Sequence, residues 1–538
     1  MRNSSREVPQ VKRGNRGDLI DAGDNAARHL PAPALRAAAA SSGAGPGPGS
    51  GGLPEAELTL AEQLPESRAG RAAVAILDAV QQTAEEHGYF AAGEEASRRL
   101  RAARELRSPE RRFLSDTLAD VLRGLRRLRT LADRKKMGGR ALYLTYLVDK
   151  SLTANPQRQR RGYPDADALK EDAELPRVLG HKAAEAGLSA AEIGQRARKL
   201  AAQMARLDEL PAAERITAIG EALSYPDWLV AALVADLGLE AAIATLRTQN
   251  LRAPLTVRAN LLKCSRAELQ DRLRHEGVPA TESRLAPLAL QLNTRINAYA
   301  LPSFTEGLFE LQDEGSQLIA ELCAPPPGSV VLDACAGAGG KTLAIGALLG
   351  NKGRIVALDI DRRRLSELQK RARRAGLSCV QALCVSADGQ RPARSDALPA
   401  LPQGVLPRGA QRVLCDVPCS GLGVLRRHPE ARWHLGPRAV AEINVQQAQI
   451  LAACARHVQP HGRLIYATCT VLRRENDDIV DEFLRTHPEF VEVPVKELLG
   501  SERAHALGDG NRLRLLPTAD GPDGFFAAVL RRRADTAS

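Results

Sequence analysis

From Ser67 the chain carries apolar residues at three- and four-residue spacing through SRAGRAAVAILDAVQQTAEEHGYFAAGEEASRRLRAARELRSPERRFLSDTLADVLRGLRRLRTLAD. That is the period of helices with one buried face. Ser108, Pro109 and Glu110 mark a helix start, because proline suits the first turn. Helical patterning runs to about residue 210, broken by the polar stretch RQRRGYPDADA, so residues 66–210 are predicted to be all-α. At SYPDWLVAALVADLGLEAAIATLRTQN the pattern turns mixed. LTVRAN reads as a strand and Ser265 as the cap of a helix ending at Gly277, which predicts a small α/β module over residues 220–308. Over residues 309–533, SVVLDACAG, GRIVALDID, CVQALCVSAD, RVLCDVPCSG and GRLIYATCT each predict a strand ending in a polar or glycine-rich loop. Near-continuous apolar strands separated by helices predict a Rossmann-like α/β domain, a parallel sheet covered on both faces. Ligands bind such sheets beyond the carboxyl ends of the strands. Residues 1–65 stand apart: PAPALRAAAASSGAGPGPGSGG is too poor in large apolar side chains to bury a core, and this segment is predicted to be disordered.

Composition narrows the class. The 538 residues allow two to four domains. Aromatic residues are only 3%, so the cores must be built from Leu, Ala and Val. A net charge of +11, mostly from arginine, attracts polyanions. The nine cysteines contain no C-x-x-C pair, which argues against a disulfide framework and against a zinc site. The opening MRNSSREVPQVKRGNRGD lacks the apolar stretch of a secretory signal, and no run is long enough to cross a bilayer. A cytoplasmic monomer with no membrane partner is the expectation.

The candidate chemistry sits at the predicted strand ends. In VLDACAGAGGKT, Asp333 ends a strand, Gly337, Gly339 and Gly340 form a turn, and a helix begins near Lys341. Glycines let backbone approach a ligand closely, and a helix N-terminus offers unpaired N–H groups. A Walker phosphate loop is excluded, because Cys335 stands where its first glycine would be. Asp359, near the tip of the second strand, suits ribose hydroxyls, and Asp388 after the third is placed to reach an adenine amino group. Three acids at successive strand ends point to a nucleoside cofactor. On the other side, RVLCDVPCSG places Asp416, Pro418 and Cys419 on one loop, and GRLIYATCT places Thr468 and Cys469 on the next. Carbon 5 of cytosine is a poor nucleophile. A thiolate adding to carbon 6 makes carbon 5 able to attack an electrophilic methyl group. A carboxylic acid beside ring N3 stabilises that adduct, and a base then removes the carbon 5 proton. Cys469, Asp416 and Cys419 can fill these roles, although the residues alone leave open which thiol attacks. The other thiols, Cys264, Cys323, Cys379, Cys384, Cys415 and Cys454, are expected to pack as small apolar groups.

DACAGAGGKT, ALDIDRRRL, DVPCSGLGVLRRHPEARW and YATCTVLRRENDDIV resemble, in order, the motifs of the RNA cytosine-5 methyltransferases of the NOL1/NOP2/Sun family. GLFELQDEGSQLIA and GPDGFFAAVLRR resemble the segments that open and close that family's catalytic domain, so the likeness spans roughly residues 220–533. The resemblance implies S-adenosylmethionine as methyl donor, Cys469 as nucleophile and Cys419 as the thiol that assists product release. It implies cofactor contacts at Cys335, Ala336, Gly337, Ala338, Gly339, Gly340, Lys341, Asp359, Asp388 and Asp416. Ala338 departs from the family, which usually has a proline there to stiffen the turn. SPERRFLSDTLADVLRGLRRL resembles the NusB-like RNA-binding helices of the bacterial Sun-type branch, which modifies small-subunit (16S-type) ribosomal RNA. Ribosomal RNA is therefore expected ahead of transfer RNA, with a non-catalytic RNA assembly factor as the other reading. A DNA cytosine methyltransferase is excluded, because about fifty residues between the two cysteine loops cannot hold a recognition domain. For RNA contact the resemblance points to Arg258 on LTVRAN, and the helical arginines Arg111, Arg123, Arg126 and Arg127 are expected to meet phosphates.

Overall fold

A computed structural model describes residues 58–534, apart from 153–175, 386–403, 295, 324, 502, 504–506 and 509. The predicted disorder of the N-terminus up to residue 57, the polar insert RQRRGYPDADA and Asp388 lie outside the described residues. Among the described residues no helix is long and apolar enough to cross a membrane.

The helical layer follows its apolar stripes. Ser108–Arg123 starts where expected, with Pro109 in its first turn and the Glu110 carboxylate accepting the Arg107 N–H (2.7 Å). The layer runs further than its predicted end at residue 210. SYPDWLVAALVADLGLEAAIATLRTQN forms two helices, Asp227–Leu237 and Leu239–Gln249. Their Leu229, Val230, Leu233, Ala242 and Leu246 enter the same core as Leu118, Tyr146 and Ile219. Leu60–Gln63, inside the stretch predicted to be disordered, also forms a short helix, capped by Thr59.

The small module is a four-stranded antiparallel sheet. Its strands are β1 (Leu255–Ala259), β2 (Ala280–Glu282), β3 (Ala289–Leu292) and β4 (Phe309–Leu311), in the order β2-β3-β1-β4. Ser265 caps the helix Arg266–His275 in a reciprocal capping box with Glu268, as its sequence predicts. Strand β4 lies beyond the predicted boundary at residue 308: it pairs with β1 (Val257 opposite Leu311) and belongs to this sheet.

The last domain matches the predicted Rossmann-like pattern. β5 (Val330–Asp333), β6 (Arg354–Asp359), β7 (Val380–Cys384), β8 (Ala410–Asp416) and β9 (Val458–Thr468) are parallel. Three antiparallel strands extend the β9 edge: β10 (Phe490–Glu492), β11 (Leu513–Leu515) and β12 (Phe525–Arg532). The strand order β10-β12-β9-β8-β5-β6-β7 makes the chain wind outward from β5 and return beside it at β8. Loops leaving β5 and β8 diverge at that switch point, where an open α/β sheet presents a ligand crevice.

Candidate active site

Beyond β5 the chain turns tightly into the helix Gly340–Leu348. Gly337 (φ +55°) and Gly339 (φ +84°) adopt left-handed conformations, and a Cβ at Gly339 would lie 2.6 Å from Leu368 Cγ. Four polar ties fix the turn. The Gly337 N–H donates to Asp359 Oδ2 (2.8 Å) and Thr342 Oγ1 donates to Asp333 Oδ2 (2.6 Å). Arg371 Nη1 donates to the Ala338 carbonyl (2.6 Å) and Arg258 Nη1 to the Gly340 carbonyl (3.1 Å). The position that lacks proline is thus held from outside by a guanidinium. Cys335 contributes backbone to the turn, while its thiol packs against the core cluster that contains Cys415 and Cys454.

This turn fits a cofactor bearing a cationic amino group. Asp333 Oδ1 is buried without a hydrogen-bond partner, and burial pushes the carboxyl up to about 7. An ammonium group would satisfy that oxygen and favour its ionised form. Asp359 is committed on both oxygens to backbone N–H groups, of Gly337 and of Asp361 (2.8 Å each), with lone pairs left for ribose hydroxyls.

The chemical side grows from the β8–β9 pair. Asp416 is in register with Ala467, so the two cysteine loops leave the sheet side by side. Fifty residues apart in sequence, Cys419 Sγ and Cys469 Sγ lie 3.3 Å apart, and the Cys469 N–H donates to Cys419 Sγ (3.4 Å). Lys341 Nζ reaches across from the cofactor turn to Asp416 Oδ2 (2.7 Å), 5.7 Å from the centre of the Phe525 ring. Burial works against the Lys341 charge, but Asp416 and then Cys469 outweigh it and hold the ammonium above its ordinary value. Hydrogen bonding with Cys469, then burial, pushes the Cys419 thiol well up. Among the remaining thiols, Cys323, Cys415 and Cys454 are buried as expected, whereas Cys264, Cys379 and Cys384 are only partly so.

The loop after Cys419 runs into the helical layer. Leu422 and Leu425, with Val471 and Leu472 from the Cys469 loop, complete that layer's core. Arg432 is fully buried over the Tyr225 ring (4.0 Å) and donates to Asn250 Oδ1 (2.8 Å) and the Ser224 carbonyl (3.2 Å). Trp433 Nε1 donates to the Leu122 carbonyl (2.8 Å).

Burial corrects the expected RNA contacts of Arg123, Arg127 and Arg258. Arg123 is 5% exposed, paired with Asp120 (2.7 Å) and donating to the Arg426 carbonyl (3.0 Å). Arg127 is wholly buried in a bidentate pair with Asp149. Arg258 is 3% exposed, and burial pulls it down to about 10 while it bridges Gln312 and the cofactor turn. None presents its charge to a polyanion. Arg126 is half-buried and occupied with Asp227 and the Tyr225 carbonyl, and Arg111 is half-buried. A strand or helix assignment shows which residues are basic, not which are covered by a neighbouring domain. Arg371 and Glu475, both structurally central, were not singled out from sequence. Arg371 is masked by its arginine-rich helix, whereas Glu475 stands out as an acid in the stretch after Cys469.

The profile described as "16S rRNA methyltransferase RsmB/F" matches residues 320–531, and a second, "Methyltr_RsmF/B-like, ferredoxin-like domain", matches residues 225–299. The probable ribosomal RNA small subunit methyltransferase B of Bacillus subtilis (strain 168) is 31% identical over 373 residues, covering 69% of this chain and 79% of the relative. The chain belongs to the RsmB/F methyltransferase family. A second RsmB-type relative, from Synechocystis sp. (strain ATCC 27184 / PCC 6803 / Kazusa), is 30% identical and shares 79% of this chain and 92% of its own length. The crystal structure of PH0851 has the same fold, with a TM-score of 0.59, 23% identity and coverage of 86% of this chain and 98% of that one. Within the RsmB/F frame, the ferredoxin-like match overlaps two helices that pack in the helical core and ends before β4, which closes the small sheet.

Proposed function

We propose that this RsmB/F methyltransferase transfers a methyl group from S-adenosylmethionine to carbon 5 of a cytosine in small-subunit ribosomal RNA, through a transient Cys469 adduct. The observation that carries the reading is the meeting of two thiols at 3.3 Å beside the Lys341–Asp416 ion pair, at the switch point that also holds the glycine turn. When bound, the cofactor supplies an electrophilic methyl group. The chain's own residues do the rest. The Cys469 thiol gives up its proton to solvent, the thiolate forms a bond to carbon 6, and the displaced electron density moves onto the ring's polar edge. The Lys341 ammonium, aimed by Asp416, stabilises that charge. Carbon 5 then takes the methyl group. While Cys469 is free, its hydrogen bond and then burial push the Cys419 thiol up. Once the Cys469 sulfur is bound to carbon its share of that restraint lapses, Cys419 releases its proton to solvent, and its thiolate accepts the carbon 5 proton. The electrons of that C–H bond restore the ring double bond as the carbon–sulfur bond breaks, freeing Cys469. Ribosomal RNA as substrate rests on the names of the relatives.

The test is bisulfite mapping of ribosomal and transfer RNA with and without the gene, with mass spectrometry of the variants. Cys469→Ala abolishes turnover, and Cys419→Ala accumulates a covalent RNA–protein adduct. Turnover by Cys469→Ala, or no adduct from Cys419→Ala, overturns the mechanism. A lost signal confined to transfer RNA overturns the substrate.

A further inference from the structure

Beneath the two thiols lies a fully buried carboxylate that the chemistry above does not use. Glu475 follows Cys469 on a short 3-10 turn, Arg473–Glu475, and is 0% exposed. Its Oε1 accepts the Ser420 N–H (2.8 Å) and Gln447 Nε2 (3.1 Å), and its Oε2 accepts the hydroxyls of Ser420 and Thr470 (2.9 Å for the latter). Ser420 is the residue after Cys419, and Thr470 is the residue after Cys469. The neighbouring Asn476 completes the bracket: it accepts from Thr468 Oγ1 (2.6 Å) and donates to the Thr470 carbonyl (3.2 Å). Gln447 also donates to the Pro418 carbonyl (2.9 Å), on the other side of Cys419. Every residue flanking a thiol is thereby tied to one side-chain cluster centred on Glu475.

We propose that Glu475 is a positioning residue, a single buried acid that sets the separation of the two thiols by holding the residue that follows each. The inference rests on the methyl-transfer reading for what that separation serves. Burial pushes the Glu475 carboxyl up, and the four donors converging on it oppose that shift and favour the ionised, acceptor-only form. The groups that face Cys419 electrostatically are Cys469 across the gap and Glu475 below. Tyr466 also senses Glu475 and Cys419, and its hydroxyl donates to the Glu475 carbonyl (2.6 Å). The second effect of Glu475 is therefore to hold Cys419 in its thiol form, because a nearby negative charge disfavours a thiolate.

The test uses the full-length Glu475→Gln protein, which keeps the side-chain volume and removes the charge. Two quantities are read: the pH midpoint of Cys419 alkylation by iodoacetamide, resolved from Cys469 by peptide mass spectrometry, and the single-turnover rate of methyl transfer to RNA. The expected result is an alkylation midpoint lower by about one pH unit and a rate lower by about tenfold or more, with S-adenosylmethionine affinity unchanged. An unchanged midpoint and rate, or a lowered melting temperature alone, overturns the proposal. If Glu475→Gln does not fold, Ser420→Ala removes one hydroxyl tie and must lower the rate in the same direction. An unchanged rate there also overturns it. If the wild-type protein transfers no methyl to RNA, the alkylation midpoint decides by itself: a shift supports the role of Glu475 and no shift refutes it.

Discussion

Replacing Arg258 by methionine separates a phosphate contact from an internal brace. The guanidinium serves two acceptors, Gln312 Oε1 and the Gly340 carbonyl. An acceptor orphaned away from water costs about 1–3 kcal/mol. Gln312 is 7% exposed and Gly340 only half-buried, so the upper figure suits the first and the lower figure the second. The burial that pulls Arg258 down to about 10 means that its removal also relieves a desolvation cost. The net loss is about 2 kcal/mol, concentrated at the cofactor turn. Calorimetric titration of S-adenosylmethionine should then show affinity reduced by about tenfold or more. RNA affinity measured across a salt series should keep its slope, because no phosphate contact is lost. A slope reduced in magnitude by about 0.7–0.9 with cofactor affinity intact would refute the brace and restore the contact expected from sequence.

Three further outcomes follow from buried groups. Arg127→Ala takes the bidentate guanidinium away from the buried Asp149 carboxylate in the helical core, so urea unfolding should show a loss of about 3–5 kcal/mol. Asp333, held up to about 7 by burial, binds its proton more tightly when folded than when unfolded, so ionisation destabilises the fold. Wild-type stability relative to Asp333→Asn should therefore fall as pH rises from about 4 to about 7, read by thermal melts without cofactor, and a parallel pH trend in both proteins would refute it. Arg432→Leu removes the ring stack and the bonds that seat the loop after Cys419, so limited proteolysis should cut within residues 421–435 faster while cofactor affinity holds.

Much of the catalytic sheet was legible because each parallel strand is a short apolar run ending at a glycine or an acid, and burial on both faces demands that pattern. The thiol loops were legible for the same reason: polar residues at strand ends mark the crevice. Asp416 was expected as the acid on its loop, and the structure pairs it with Lys341 of the cofactor turn. What sequence did not convey was coverage. The period of Asp227–Gln249 is helical, but that it packs on the first layer depends on Leu422 and Leu425, nearly two hundred residues away, completing the same core. Arg123, Arg127 and Arg258 read as solvent-facing charges because the elements that cover them, carrying Arg426, Asp149 and Gln312, are other elements of the fold, which helical or strand period does not place. β4 is not legible as a strand, and the module's predicted end at residue 308 falls just before it, because three residues carry too little period to mark a strand.

The helical core that borrows Leu422, Leu425 and Leu472 has a consequence for biosynthesis. Translation delivers the helices first and these leucines much later, at roughly 5–20 residues per second. For on the order of ten seconds the nascent chain exposes an apolar seat whose occupants are still unmade. The first helical layer is thus finished only after the last domain has been made, and its apolar seat is the place where a chaperone would act during synthesis.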